Sequence, residues 1–230
     1  MKLGWQNWFQ EKRFAARWQQ AKAAAQSTPM AGYYDALLPT DNLLEDTPLI
    51  ALDFESDGLA EDAQLLEAGW VAVDGGAVKL GSARRLRIRA GNKLQGSAVV
   101  IHRITDDAAA EGQSERDVLE TLLADLKGSA ILAHAAIIEQ AFLNAACLRC
   151  FGAPFVGRFI CTMQLEDRWF PKERTADGLR LGKLRAQYGL PYYRAHDGLT
   201  DAMACAELFL AQCARRRTEN LMMEDVLMRG

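Results

Sequence analysis

The segment LIALDFESDGL, residues 49–59, is apolar at first and then acidic, with Asp53 and Glu55 two positions apart. Side chains of a β-strand alternate between its two faces, so these carboxylates would share one face, with Cα atoms about 7 Å apart. Two ionised carboxylates at the end of a buried strand repel each other and resist desolvation, and a divalent cation removes both costs. On spacing alone, a solvated pair at a strand end remains the alternative.

Two more acids lie on apolar faces of predicted helices. The neighbours of Glu139 at i+3, i+4 and i+7 are apolar, as are those of Asp201, which opens the last predicted helix. As an alternative, Asp201 lies in a first helical turn, where the helix dipole alone favours an acid. Four acids from three elements nevertheless fit a cluster of oxygen ligands for two hard cations, Mg²⁺ or Mn²⁺. Two such cations support in-line displacement at phosphorus by water.

A histidine precedes Asp201 by five residues, in the loop YYRAHDGL. Imidazole groups change charge near neutral pH, so His196 beside a metal site would take the proton from an attacking water. An isolated loop histidine is usually inert, and only the neighbouring acids make His196 a candidate for catalysis.

The pattern of elements indicates how these residues are positioned. From residue 48 onward it predicts three strands, then a helix capped by Ser114, and then alternating strands and helices up to a last helix capped by Thr200. This order predicts an α/β fold whose mixed sheet begins as a hairpin and continues with parallel strands under helices.

Residues 1–46 differ in composition and are rich in Trp, Ala, Arg and Lys. Five aromatic residues form a rough helical stripe there: Trp5, Trp8, Phe9, Phe14 and Trp18. The helix either docks on a partner or membrane surface, or packs on the protein's own domain. We expect residues 1–46 to be a helical extension with a loop, 47–214 the main domain and 215–230 a short C-terminal tail.

The composition is that of an ordinary globular protein, with 230 residues, 50% hydrophobic, and a net charge of −3. The five cysteines are odd in number, no secretory signal is visible, and CLRC at 147–150 has no second ligand pair. These features favour reduced thiols in a cytoplasmic protein over a zinc or disulfide site. No apolar run approaches the roughly 18 residues that span a membrane.

Three ordered blocks resemble the DEDDh family of 3′–5′ exonucleases. They are DFESDGL at 53–59, ILAHAAIIEQAFL at 131–143 and HDGLTDAMACAELF at 196–209, while IHRIT at 101–105 is similar to a further family element. The resemblance covers roughly residues 48–212. It implies a ribonuclease H-like mixed sheet of about five strands flanked by helices. It also implies hydrolysis at the 3′ end of single-stranded DNA or RNA, with two Mg²⁺ or Mn²⁺ and release of nucleoside 5′-monophosphates.

The resemblance implies a role for each candidate catalytic residue. Asp53 would bridge both cations, and Glu55 and Asp201 would hold the cation that carries the nucleophilic water. Glu139, where the family has Asp, would lie near the other cation. His196 would be the general base.

The resemblance also implies contacts with the terminal nucleotide. Gly58 and Leu59 match the family's Gly-Leu, and the hydroxyl of Ser56 would reach the sugar or phosphate. His134, which ends the strand of the second block, would also bind the substrate. The tyrosines at 192–193 would either stack on a base or anchor their loop.

The chain departs from the family at Glu139, at Ala135 where Asn is usual, at Cys161 where Asp is frequent, and at residues 56–57 where a Thr pair is frequent. These departures keep an alternative open, a catalytically impaired nucleic-acid-binding or adaptor domain. Within enzymes, a short-oligonucleotide exoribonuclease and a polymerase proofreading subunit are also open.

Two basic clusters lie outside the acidic blocks. RRLRIR places Arg85, Arg87 and Arg89 on one face of a strand, and residues 215–217 are three arginines. They would bind phosphates or, as an alternative, form a solvated edge that discourages strand pairing.

Overall fold

The computed structural model describes residues 2–60, 63–74, 76–91, 112–171, 178–216 and 220–229, with side chains from residue 8 onward. Its strands are β1 (Leu49–Ser56), β2 (Leu65–Asp74), β3 (Ala77–Arg87), β4 (Ala130–Ala133) and β5 (Phe159–Cys161). They form a five-stranded sheet in the order β3-β2-β1-β4-β5. The strands β3, β2 and β1 pair antiparallel, whereas β4 pairs parallel with both β1 and β5. The predicted mixed sheet with a hairpin-like beginning is therefore confirmed.

Helices connect and cover the strands. Their bounds are α1 (Lys2–Ala25), α2 (Glu115–Leu126), α3 (Ile137–Phe151), α4 (Thr162–Trp169), α5 (Leu181–Gln187), α6 (Gly198–Arg216) and α7 (Met223–Val226). Short 3₁₀ helices span Pro29–Asp35 and Leu44–Asp46. As predicted, Ser114 caps α2, because its hydroxyl accepts the N–H of Asp117 at 3.1 Å.

The start of α6 differs from the prediction. The helix begins at Gly198, and Asp197 rather than Thr200 occupies the capping position. One carboxylate oxygen of Asp197 accepts the backbone N–H of Thr200 at 3.0 Å and its hydroxyl at 2.9 Å. A carboxylate that satisfies the free N–H groups of a first turn stabilises the helix from one residue before it.

Each face of the sheet packs in its own hydrophobic cluster. Ile50, Leu52 and Phe54 of β1 lie with α2 and α3 on one face, whereas Leu49 and Ala51 lie with α6 on the other. The alternation predicted for β1 is confirmed by this division. It places Asp53 and Glu55, which follow in the same phase, on the face that α6 covers.

The second half of α1 belongs to the first of these clusters. Trp18 is 3% exposed and packs against Tyr33 and Tyr34, with ring centroids 5.4 and 4.9 Å away. Trp8 and Phe9, by contrast, are 47% and 53% exposed. The packing interpretation therefore holds for the second half of the helix, and the docking interpretation remains a prediction for the first half.

Several predicted features lie outside the described residues: the side chain of Trp5, the IHRIT element at 101–105 and Arg217. The bounds of the three predicted segments stay predictions. All five cysteines are described and are free thiols. Among the described residues no helix is both long and apolar enough to cross a membrane.

Candidate active site

The candidate site lies at one end of the two central strands. Strands β1 and β4 run parallel, so their carboxyl ends meet at the same edge of the sheet. Asp53 and Glu55 lie near the end of β1, and His134 directly follows β4. Glu139 and Asp201 lie in the first turns of α3 and α6. Ligand sites of α/β sheets commonly form at such an edge, which suits a cluster drawn from four elements.

Three of the four predicted acids converge. One carboxylate oxygen from each of Asp53, Glu55 and Asp201 lies within 4.8 Å of the others. Glu55 is buried, and the other two are partly buried. Carboxylates so close together and so poorly solvated repel one another unless protons or cations neutralise them. The donor set is therefore one that suits a hard divalent cation.

Glu139 lies beside this group rather than in it. It is 5% exposed, and its Oε2 has no hydrogen-bond partner among the described residues. Burial, and to a lesser extent the charge of Glu55, raise the pKa of Glu139 to about 8. A buried carboxylate oxygen without a partner is costly, and a cation bound beside it would remove that cost. Glu139 thus fits a position beside a metal site, and its role as a metal ligand stays a prediction.

The pKa values of Asp53 and Asp201 are shifted in the same direction as that of Glu139. Burial raises the pKa of Asp53 well above its usual range, and the charges of Glu139 and Glu55 add to this effect. Burial also raises the pKa of Asp201, opposed by a hydrogen bond from the backbone of His196. Strongly perturbed acids in one cluster are typical of functional sites.

His196 is exposed and lies next to the acid cluster. Its backbone N–H donates to Oδ2 of Asp201 at 2.8 Å. Its φ is +68°, a left-handed conformation that costs a non-glycine residue free energy and is often found at functional sites. The hydrogen bond to Asp201 holds the histidine backbone in this conformation, beside a carboxylate of the cluster.

The predicted substrate contacts line the turn after β1. The hydroxyl of Ser56 donates to the carbonyl of Gly58 at 2.6 Å, and Leu59 is 79% exposed. The carboxylate of Asp57 accepts the backbone N–H of Gln64 at 2.8 Å and its side-chain amide at 2.9 Å. The turn is therefore held by its own polar groups and leaves Leu59 on the surface next to the acids.

His134 lies half-buried directly after β4, at the same edge of the sheet. Its Nδ1 is 2.8 Å from the hydroxyl of Thr162, and burial lowers the pKa of His134 to about 4. The imidazole is therefore neutral near pH 7. The following residue, Ala135, has a φ of +56°. Asn tolerates that conformation better than Ala, which gives a physical reason for the family's usual Asn.

Sequence reasoning missed the groups that hold the loop before α6. Arg185 is buried and donates to the carbonyl of Pro191 at 2.9 Å and to Glu207 at 2.8 Å. Tyr193 donates to Glu207 at 2.8 Å, and its ring lies 4.4 Å from the Arg185 guanidinium. Tyr193 thus anchors the loop, whereas Tyr192 is 89% exposed. The available signal was Glu207, an acid within an otherwise apolar helix.

The predicted arginine row on β3 is divided in the structure. β3 is an edge strand that ends at Arg87. Arg87 and Arg89, which lies two residues beyond the strand, are both exposed. Arg85 instead forms ion pairs with Glu67 and Asp197. Glu67 was also missed, although an acid inside the apolar segment LLEAGW was a visible signal.

Comparison with known proteins agrees with this geometry. An exonuclease family model, RNase_T, matches residues 50–209, well over half of the chain. The chain therefore belongs to the DEDDh-type 3′–5′ exonuclease family, whose members are hydrolases of nucleic acid.

One curated relative and two solved structures give the extent of the similarity. The DNA polymerase III subunit epsilon of Treponema pallidum is 29% identical over 183 residues, covering 76% of this chain and 81% of the relative. The nuclease domain of 3′hExo, a DEDDh family member bound to rAMP, superimposes with a TM-score of 0.65 at 17% identity, over 79% of this chain and 98% of its own. Exonuclease X in complex with 5′ overhanging duplex DNA gives a TM-score of 0.61 at 23% identity, over 77% and 98%. The two structures confirm the ribonuclease H-like fold.

Proposed function

We propose that the protein removes nucleotides from the 3′ end of single-stranded DNA or RNA as nucleoside 5′-monophosphates, using two Mg²⁺ or Mn²⁺. The observation that supports this most is the convergence of three carboxylates within 4.8 Å, with the buried, unpartnered Oε2 of Glu139 beside them. A dead binding domain would gain nothing from keeping these mutually repelling acids.

Each candidate residue would have a separate role in the reaction. Asp53, Glu55 and Asp201 would hold the cations, with Glu139 next to them. Divalent cations held there supply positive charge that offsets the negative charge of the reacting phosphate. The imidazole of His196, exposed beside Asp201, would accept the proton of the attacking water. Ser56, Gly58, Leu59 and His134 would hold the terminal nucleotide.

A digestion assay tests the proposal. The purified protein is given 5′-labelled single-stranded DNA, RNA and short RNA, with Mn²⁺, with Mg²⁺ and with chelator. We expect shortening from the 3′ end only with the cations. Asp53→Ala and Asp201→Ala should abolish it, because each removes a carboxylate of the cluster, and His196→Ala should lower kcat by about 10²- to 10⁴-fold.

The variant Asp74→Ala is a matched control. Asp74 is an exposed acid at the far end of β2, and its ion pair with Lys79 is a surface contact at 3.9 Å. Its removal should leave digestion unchanged. Retained activity in Asp53→Ala would contradict the metal mechanism, and failure of the wild-type protein on all three substrates would favour the binding-domain alternative. Preference for short RNA alone would identify a short-oligonucleotide exoribonuclease.

A second proposal concerns a protein partner. The relative from Treponema pallidum is named as a subunit of DNA polymerase III. In this chain Trp8 and Phe9 are exposed, with ring centroids 4.8 Å apart, on a helix outside the matched residues 50–209. We propose that this aromatic pair contacts a replicative polymerase subunit, since interface centres are enriched in such residues.

Co-elution on a sizing column with the polymerase catalytic subunit of the same organism tests this partner. Trp8→Ala with Phe9→Ala should abolish co-elution and leave digestion of free single strands unchanged. Leu80→Ala, which removes an exposed apolar side chain from β3, is the control and should co-elute normally. Co-elution of the double variant would rule out the aromatic pair as the contact.

A further inference from the structure

A charged network joins β2, β3 and the loop before α6. Glu67 of β2 is buried, with 1% of its side chain exposed, although it lies directly opposite Glu55 in the antiparallel register. Its Oε2 accepts Nε–H of Arg85 at 2.8 Å, and its Oε1 accepts the backbone N–H of Gly198 at 3.0 Å. Both carboxylate oxygens of Glu67 therefore accept hydrogen bonds within the protein, one from β3 and one from the first residue of α6.

Arg85 connects this strand acid to the cap of α6. One guanidinium nitrogen lies 2.5 Å from Oδ2 of Asp197. The other carboxylate oxygen of Asp197 accepts the N–H and the hydroxyl of Thr200, in the first turn of α6. One oxygen of Asp197 thus caps α6, and the other forms an ion pair with Arg85 of the sheet. The guanidinium fork suits such a bridge between two carboxylates.

The bridged segment contains two candidate catalytic residues. His196 immediately precedes Asp197, and the N–H of Asp201 donates to the carbonyl of Asp197 at 2.9 Å. A Cβ added at Gly69 of β2 would overlap the backbone of Gly198, so the first turn of α6 lies directly on the sheet. Any shift of Asp197 would consequently move Asp201 and His196 relative to β1.

We propose that Arg85, held between Glu67 and Asp197, is a positioning residue that fixes the first turn of α6, and with it Asp201 and His196, beside Asp53 and Glu55. The inference deepens the proposed nuclease function and rests on it. It replaces the phosphate-binding interpretation for this arginine, because two carboxylates already neutralise the guanidinium charge. Groups that orient metal ligands commonly affect metal affinity and activity by 10- to 100-fold when removed.

Arg85→Ala, compared with Arg84→Ala, tests this role. Arg84 is the adjacent exposed residue of β3, on the opposite face, and its side chain donates locally to the carbonyl of Ala83. Arg85→Ala should lower kcat on labelled single-stranded DNA by about 10- to 100-fold, with KM and its salt dependence changed less than about twofold. Calorimetric titration with Mn²⁺ alone should show weaker binding. Arg84→Ala should match the wild type in every measurement.

The split between kcat and KM separates positioning from substrate binding. If Arg85 binds a phosphate, Arg85→Ala will raise KM and reduce its salt dependence while kcat stays unchanged. That result would overturn the proposal, as would wild-type kcat and Mn²⁺ affinity in Arg85→Ala. A fall in melting temperature alone, with normal kcat and Mn²⁺ affinity, would show a merely structural role and would also overturn it.

Asp197→Asn supplies a variant that should fold even if Arg85→Ala does not. Asn is as good a helix cap as Asp, but it cannot form the ion pair with Arg85. Asp197→Asn should therefore also lower kcat, and Asp197→Asn with Arg85→Ala should lose no more than Arg85→Ala alone. Additive losses would contradict a shared bridge. If the wild-type protein digests nothing, the nuclease proposal fails, and the Mn²⁺ titrations still decide whether Arg85 positions the acids.

Discussion

Glu139 stands where the family has Asp, and it is buried with one carboxylate oxygen that has no hydrogen-bond partner among the described residues. It lies outside the group of three acids whose carboxylate oxygens are within 4.8 Å of one another. Its charge nevertheless acts on that group, because it raises the pKa of Asp53. A buried carboxylate of this kind destabilises the metal-free fold and favours a bound cation. Removing its charge should therefore raise the stability of the metal-free protein and lower its affinity for the cation.

The pH dependence of the free energy of unfolding tests whether Glu139 destabilises the metal-free fold. Folding raises the pKa of Glu139 from 4.5 to about 8, so between these values the folded protein holds a proton that the unfolded chain has released. With chelator, the free energy of unfolding should therefore fall by about 2 kcal/mol as the pH rises from about 6.5 to about 8. His134, whose pKa is lowered from 6.5 to about 4, has the opposite effect only below that window. Urea unfolding at several pH values measures the slope.

Glu139→Gln is the variant for this measurement. It removes the titrating group at nearly constant volume, so the slope between pH 6.5 and 8 should largely disappear and the metal-free protein should be more stable at pH 8. Mn²⁺ affinity should fall in the same variant. An unchanged slope in Glu139→Gln would assign the effect to Asp53 or Asp201 instead.

At the scale of elements, the contact between α6 and β2 determines where Asp201 lies. Gly69 allows this contact, because a side chain there would overlap the backbone of Gly198 and Leu199. Backbone atoms cannot move aside as the end of a flexible side chain can. The spacing of helix and sheet at the site is therefore set by a glycine rather than by an acid.

Gly69→Ala should accordingly impair both folding and metal binding. We expect a loss of at least about 2–3 kcal/mol in the free energy of unfolding, and weaker Mn²⁺ binding in whatever protein folds. Gly81→Ala in β3 is the matched control and should be close to neutral. Among the described residues, no atom beyond the chain neighbours of Gly81 lies within 4 Å of the added Cβ. Equal stability of the two variants would mean that α6 can move away from the sheet.

Local patterns predicted the elements and the acids, because alternation and helical spacing act within a few residues. The apolar neighbours of Asp53, Glu139 and Asp201 were enough to show that each faces the interior. The contacts of Glu67 could not be predicted from local patterns. Its partners Arg85 and Gly198 are 18 and 131 residues away, and no local period encodes such pairs. The start of α6 was misplaced for a different reason. Asp197 and Thr200 are both good N-cap residues, and the local sequence does not distinguish between them.

At the scale of the whole molecule, the N-terminal segment shares a hydrophobic core with the sheet. Trp18, Met30 and Tyr34 are each at most 3% exposed within the cluster that contains Ile50 and Leu52. Arg158, just before β5, adds an ion pair with Glu11 of α1 at 2.5 Å. The family match begins at residue 50, so part of the core comes from outside the matched segment.

Two tryptophans of the same helix allow a direct comparison. Trp18→Ala should lower the free energy of unfolding by about 3–5 kcal/mol, because it leaves a large cavity between α1 and the two buried tyrosines. Trp8→Ala should cost less than about 1 kcal/mol, since nearly half of that side chain is already exposed. Denaturant titrations followed by circular dichroism measure both. Similar losses would mean that the two halves of α1 contribute alike to the fold.

The raised pKa of Glu139 implies that binding of a cation at the site would release a proton. Below about pH 8 this carboxyl group carries a proton, and a cation that binds beside it must displace that proton. Loading the site is therefore also an acid-releasing reaction, and acidic surroundings would weaken it by mass action. The heat of Mn²⁺ binding will accordingly depend on the ionisation enthalpy of the buffer, and the slope of that dependence counts the protons released.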